Sequence, residues 1–172
     1  MTTRVLISFF CDDRPGVIEE ISRLIEAHGG NWLDSQLARL GGRFAGVLLV
    51  QVPGTRQEAL GAALEGLEAQ GIRTSLTSGG EAPSPAPASR RITLLGPDRP
   101  GIVHELTRAM RAAGFNVLSM TTSVEGAPMS GEALFRAEAR IELGEGSRLD
   151  ELEWQLDAMA EAMTLEIDIL DT

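Results

Sequence analysis

The chain has 172 residues, a formal net charge of −10 and a hydrophobic fraction of 43%, and all 15 basic residues are arginines. That length suits one medium domain or two small ones, and the scattered arginines exclude the clustered basic surface of a direct nucleic-acid binder and fit an anionic membrane poorly. No apolar run approaches the roughly 20 residues of a bilayer span, no signal-peptide pattern is present, and the single cysteine, Cys11, excludes an intrachain disulfide, so a cytoplasmic location is the expectation.

Val5 to Phe10, rich in β-branched and aromatic residues, predicts a first strand. It leads into Asp13-Arg14-Pro15-Gly16, after which Val17, Ile18, Ile21, Leu24 and Ile25 recur at helical spacing and predict a helix from Gly16 to Ala27, stopped by Gly29-Gly30. The four-residue motif is thus a strand-to-helix turn, with the proline suited to a helix's first turn and the glycine removing a side chain where ligand or backbone comes close. Asn31 to Leu40 and Phe44 to Val52 predict two strands around a Gly41-Gly42 turn, Thr55 to Gln70 a second helix, and Ile72 to Thr77 a last strand.

The motif returns as Asp98-Arg99-Pro100-Gly101, and residues 13 to 31 align without a gap on 98 to 116, with nine positions identical. One folding unit is used twice. The second copy predicts a strand at Ile92 to Leu95, a helix to Ala113, extended chain from Asn116 to Val124, and a longer loop containing Gly126, Pro128 and Gly131. A strand from Ala133 to Leu143, a helix carrying Leu149, Leu152, Leu156, Met159 and Met163, and a final strand around Leu165, Ile167 and Ile169 complete it. Between the copies, the run PSPAPAS reads as an extended connector. The expected division is therefore 1–80 for the first domain, 81–89 for the linker and 90–172 for the second domain. The fold class is α+β, with two ferredoxin-like β-α-β-β-α-β units in tandem, each an antiparallel four-stranded sheet with helices on one face. Apolar residues on both faces of Phe44 to Val52 imply that the other unit or a second copy of the chain, as in a homodimer, covers the open sheet face.

These residues resemble the ACT domain, a small regulatory module that binds amino acids. The turn motif continues as (Ile/Val)-(Val/Ile), and a glycine and an asparagine follow the helix at Gly29 to Asn31 and Gly114 to Asn116. The tandem layout and length resemble the family's regulators of the glycine cleavage system. The resemblance implies a small amino acid, glycine in that branch, bound near the strand-helix turn at an interface between two ACT units. The ligand-binding candidates are Asp13, Pro15, Gly16, Asn31, Asp98, Pro100, Gly101 and Asn116. Unpaired N–H groups and the helix dipole would attract a carboxylate, and an asparagine offers a donor and an acceptor.

Each candidate also has a structural alternative. Asp13 and Asp98 read from position first as helix N-caps, Gly16 and Gly101 also as sterically required turn residues, Arg14 and Arg99 as solvated arginines, and the asparagines as partners of local backbone. His28 and His104 form no paired ligand set, so no metal or cofactor is expected. Cys11 lacks an evident base and reads as a small buried residue, so no catalytic residue is assigned. Trp154 falls off the apolar stripe of its helix.

The expected function is non-enzymatic: amino-acid sensing coupled to a protein partner, a DNA-binding transcriptional activator in the branch it resembles, without direct nucleic-acid contact. Two alternatives remain open at this point. One is an ACT-type interaction module without ligand. The other is the regulatory part of an enzyme such as formyltetrahydrofolate hydrolase or phosphoserine phosphatase, for which no segment of catalytic-domain size remains.

Overall fold

A computed structural model describes residues 1–79, 88–127 and 131–171. The chain divides into two compact units, Met1–Ala82 and Pro83–Thr172. Of the Pro/Ser/Ala connector only Ala88 and Ser89 lie among the described residues, and Ser89 already opens a strand; Pro128 also lies outside the described residues.

In the first unit, β1 (Thr2–Asp12), α1 (Val17–Ala27), β2 (Asn31–Leu40), β3 (Arg43–Pro53), α2 (Gln57–Glu65) and β4 (Arg73–Ser78) follow in order. The sheet order is β2-β3-β1-β4 with every neighbouring pair antiparallel. Alternation within β1 puts Val5, Ile7, Phe9 and Cys11 on one face. Those four join Val17, Ile21 and Ile25 of α1, Leu60 and Leu64 of α2, and Leu48, Val50 and Val52 of β3 in one core. Burying each aliphatic side chain contributes about 1.5–3 kcal/mol, so this two-layer arrangement follows from the period-2 and period-3.6 patterns together. The helix α1 ends because Gly29 adopts φ +70°, which lets Gly30 N–H donate to the Ile25 carbonyl at 2.8 Å.

The second unit repeats the design with β5 (Ser89–Pro97), α3 (Ile102–Ala112), β6 (Asn116–Gly126), β7 (Ala133–Glu142), α4 (Leu149–Met163) and β8 (Glu166–Asp171), in sheet order β6-β7-β5-β8. Ile92, Leu94, Ile102, Leu106, Met110, Ile141, Leu152 and Leu156 form its core. Gly114 stops α3 at φ +80°, with the Phe115 N–H donating to the Met110 carbonyl at 2.9 Å, as Gly30 does in the first copy. Both units are thus the α+β fold read from the sequence.

Two local expectations are corrected, and two strands carry an irregularity that the sequence pattern does not announce. The helix expected over Thr55 to Gln70 is α-helical only over Gln57–Glu65, with 3-10 turns at Gly54–Arg56 and Gly66–Gln70. Gly66, which opens the second 3-10 turn, explains the shortening at the C-terminal end, because a glycine costs roughly 1 kcal/mol against alanine in a helix. Pro15 and Pro100 lie two residues before the first residue of their helices, since Gly16 and Gly101 are the N-cap residues. Finally, β2 and β6 each carry a register shift, between Trp32 and Asp34 and between Val117 and Ser119. The displaced residues, Leu33 and Leu118, are both exposed.

Candidate functional site

Each turn motif leaves its strand at the edge of the helix-covered face and delivers the chain to a helix N-terminus. Gly16 (φ +93°) and Gly101 (φ +97°) hold backbone conformations that L side chains rarely adopt, so the glycine is required by conformation in both copies. Space is available as well. A Cβ on Gly101 would meet nothing within 4 Å, and one on Gly16 would meet only the Glu20 Oε1 at 3.8 Å.

No side chain caps α1 or α3. The N-cap reading of the aspartates is therefore corrected, and the reason is geometric: the left-handed glycine, three residues after the aspartate, occupies the N-cap position itself. Glu20 N–H donates to the Gly16 carbonyl at 2.9 Å, and Glu105 N–H to the Gly101 carbonyl at 2.9 Å. The N–H groups of the preceding helical residues point out of the turn without an intrahelical acceptor, and with the helix dipole they form an anion-attracting end.

The two turns are identical in sequence and different in charge pairing. In the first, Asp13 pairs with Arg39 of β2 (Oδ2 to Nε, 2.8 Å), and Arg14 donates to both oxygens of Glu20 at 2.8 and 3.2 Å. That bidentate bond holds the Glu20 carboxyl below its ordinary range and raises Arg14 above its own. In the second, Val124 stands where the first unit has Arg39, and Glu105 pairs with Arg108 within α3. Neither Asp98 nor Arg99 makes an ion pair among the described residues, and both are exposed. Among the described residues the second turn therefore presents an unpaired carboxylate and an unpaired guanidinium, while the first has both engaged.

The asparagines stand elsewhere. Asn31 pairs in register with Gln51, and Gln51 with Arg4 near the start of β1, whereas the motif follows Asp12 at its end. Eight residues of strand separate them, about 26 Å at the usual rise. Asn116 likewise lies opposite Glu142, itself opposite Ser89, while the second motif follows Pro97. Within one unit, motif and asparagine thus occupy opposite ends of the sheet. Asn31 and Asn116 are exposed, and the Asn116 Nδ2 donates weakly to the Glu142 carboxylate at 3.4 Å. The structure brings Asp, Pro and Gly of each copy together and leaves the asparagine of that copy apart.

Cys11 is buried, its thiol donates to the Phe44 carbonyl at 3.6 Å, and burial pushes its pKa up, away from the thiolate a nucleophile needs. Among the described residues no three His, Cys, Asp or Glu side chains converge as a metal site, and no helix is long and apolar enough to cross a membrane.

ACT-domain family profiles match residues 3–77 and residues 90–153. Among solved structures, a protein from Galdieria sulphuraria described only as unknown is 27% identical, with a TM-score of 0.84 over 100% of this chain and 99% of that one. A candidate glycine cleavage system transcriptional repressor shares the tandem fold at 19% identity, with a TM-score of 0.72, again over 100% of this chain and 99% of that one. No curated protein matches. With one matched domain in each unit, the chain belongs to the ACT-domain family as a tandem pair of ACT domains.

Proposed function

We propose that this protein is a non-enzymatic amino-acid sensor of the cytoplasm that reports ligand occupancy to a protein partner. The single observation that carries this reading is the doubled Asp-Arg-Pro-Gly turn, in which a left-handed glycine opens an uncapped helix with free space beside it. The α-carboxylate of an amino acid is suited to the first-turn N–H groups, and its ammonium group to the aspartate carboxylate. Asp98, which makes no ion pair among the described residues, is the better placed of the two aspartates. The absence of any room requirement beyond the backbone fits a small ligand, and glycine is the first candidate by likeness to the glycine cleavage regulators.

Because an asparagine about 26 Å away cannot reach the turn of its own unit, we assign the third contact to Asn31 or Asn116 of a second copy of the chain. Sensing then follows thermodynamically: a ligand held jointly by two copies favours the assembly that holds it, by as much as it binds that assembly more tightly. The partner is a protein, and in the glycine cleavage setting a DNA-binding activator, since an acidic chain has no surface for the phosphate backbone. Calorimetry with a panel of amino acids tests the reading. Saturable binding of glycine or another small amino acid supports it, and no heat from any member of the panel would leave an interaction module without ligand.

A further inference from the structure

The open face of the second sheet differs from that of the first in a way the amino-acid reading does not use. At an offset of 85 residues, Arg91 and Leu95 of β5 correspond to Leu6 and Phe10 of β1, while through the paired registers Arg136, Glu138 and Arg140 of β7 correspond to Ala45, Val47 and Leu49 of β3. One copy of the duplicated unit keeps an apolar face. In the other, three apolar positions have become arginine.

The arginines are arranged unfavourably unless something joins them. Arg91 and Arg140 lie directly opposite each other in register, about 5 Å apart at the Cα atoms, where like charges destabilise a sheet. Arg91 leans on Glu138, at 3.8 Å, and its Nε is buried without a hydrogen-bond partner. Glu138 is thereby drawn toward β5. Arg136 and Arg140 of β7 make no ion pair among the described residues; the Arg140 Nη2 donates to the hydroxyl of Ser89 on β5 at 3.3 Å. Between these two arginines and β6 lies an open cavity of about 290 Å³ lined by Ser119, Thr121, Ser123, Arg136, Glu138 and Arg140. Ser123 donates to Glu125 at 3.2 Å, whereas the Ser119 and Thr121 hydroxyls that line the cavity make no side-chain hydrogen bond among the described residues.

We infer that the open sheet face of the second ACT domain binds a small molecule carrying two anionic groups, a diphosphate or a dicarboxylate, between Arg136 and Arg140. Four residues of strand set these two about 13 Å apart at the Cα atoms, and both line the cavity. Guanidinium forks match carboxylate and phosphate oxygens, the hydroxyls of β6 can donate beside them, and the Glu138 carboxylate that also lines the cavity is partly neutralised by Arg91 at 3.8 Å. Two arginines are far too few to hold a nucleic-acid backbone, so a small ligand is the fitting class. This inference does not depend on the amino-acid site, because it uses neither turn glycine nor either asparagine.

The test is calorimetric titration of the full chain with pyrophosphate and, separately, succinate, each against sodium chloride at matched ionic strength. The two titrations distinguish phosphate from carboxylate as the source of charge. Saturable binding by either, with a dissociation constant of about 1 mM or tighter, is expected. Arg136→Ala and Arg140→Leu restore the residue types of the first domain and should each weaken it by about tenfold or more. Arg111→Gln removes the same charge from the exposed surface of α3 and should change it less than about twofold. Absence of saturable binding by both dianions to the unmodified protein would overturn the inference, whatever the variants do. Equal losses in Arg140→Leu and Arg111→Gln, or none in Arg136→Ala and Arg140→Leu, would also overturn it.

Discussion

Replacing glycine by alanine should have opposite effects at two positions in this protein. At Gly101, φ is +97°, and nothing lies within 4 Å of the added Cβ, so the whole cost is backbone strain. Forcing an L residue into a left-handed conformation costs about 1–2 kcal/mol. For a unit of this size that is a fall in melting temperature of roughly 5–15 °C. Gly61 also has nothing within 4 Å, but it sits inside α2 with no positive φ. There alanine removes unfolded-chain entropy and should add about 0.5–1 kcal/mol. Urea unfolding followed by circular dichroism on Gly101→Ala, Gly61→Ala and the parent measures both. Equal stability of Gly101→Ala and the parent, or a loss at Gly61→Ala, would refute the assignment of the turn glycine to backbone conformation.

Other consequences follow from packing and charge. Arg14 lowers the Glu20 pKa, so the pair contributes stability above the ordinary carboxyl value of 4.5 and loses it as pH falls through the lowered folded value. Glu20→Gln should accordingly flatten the acid limb of the stability curve below pH 4.5, as read by thermal melts across pH. Leu106→Ala, at a fully buried core position, should cost about 2–5 kcal/mol in urea unfolding. Trp154→Ser, by contrast, should stay within about 0.5 kcal/mol, because Trp154 is 71% exposed. In fluorescence anisotropy at physiological salt the chain alone should show no sequence-specific binding to duplex DNA, and submicromolar specific binding would contradict the charge argument.

The duplication made most of the fold readable. Two copies of one pattern, with β-branched runs, helical spacing and glycine stops, fix the order of elements, because local propensity and burial agree along nearly the whole chain. Strands run past their apolar segments, as β1 does into Thr2 and Asp12, because hydrogen-bond pairing continues where side-chain hydrophobicity has ended. The bulges at Leu33 and Leu118 left no mark in the pattern, since an extra strand residue has no distinctive composition. At the candidate site the turn glycines were legible, but their role as N-caps was not, because the left-handed conformation appears only in the backbone angles. The difference between the two turns was partly visible: comparing Arg39 with Val124 at the 85-residue offset would have shown that Asp98 loses its partner. The arginine face could have been found in the same way, from Phe-Arg-Ala-Glu-Ala-Arg in β7 set beside Ala45, Val47 and Leu49. Scanning for contiguous charge misses it, because strand alternation spaces these residues two apart in sequence.

The most direct measurement of the central claim is a glycine titration of the parent and of Gly16→Val, Gly101→Val, Asn31→Ala and Asn116→Ala, with a melting curve for each. Loss of a hydrogen bond to a charged ligand group is about 1.5–3 kcal/mol, or roughly tenfold to a hundredfold in affinity. The account predicts saturable binding by the parent and a loss of that size in at least one turn variant and one asparagine variant. The larger turn effect should fall at Gly101, whose neighbouring Asp98 has no ion pair among the described residues. A parent that binds glycine while all four variants keep its affinity would place the ligand elsewhere and contradict the account.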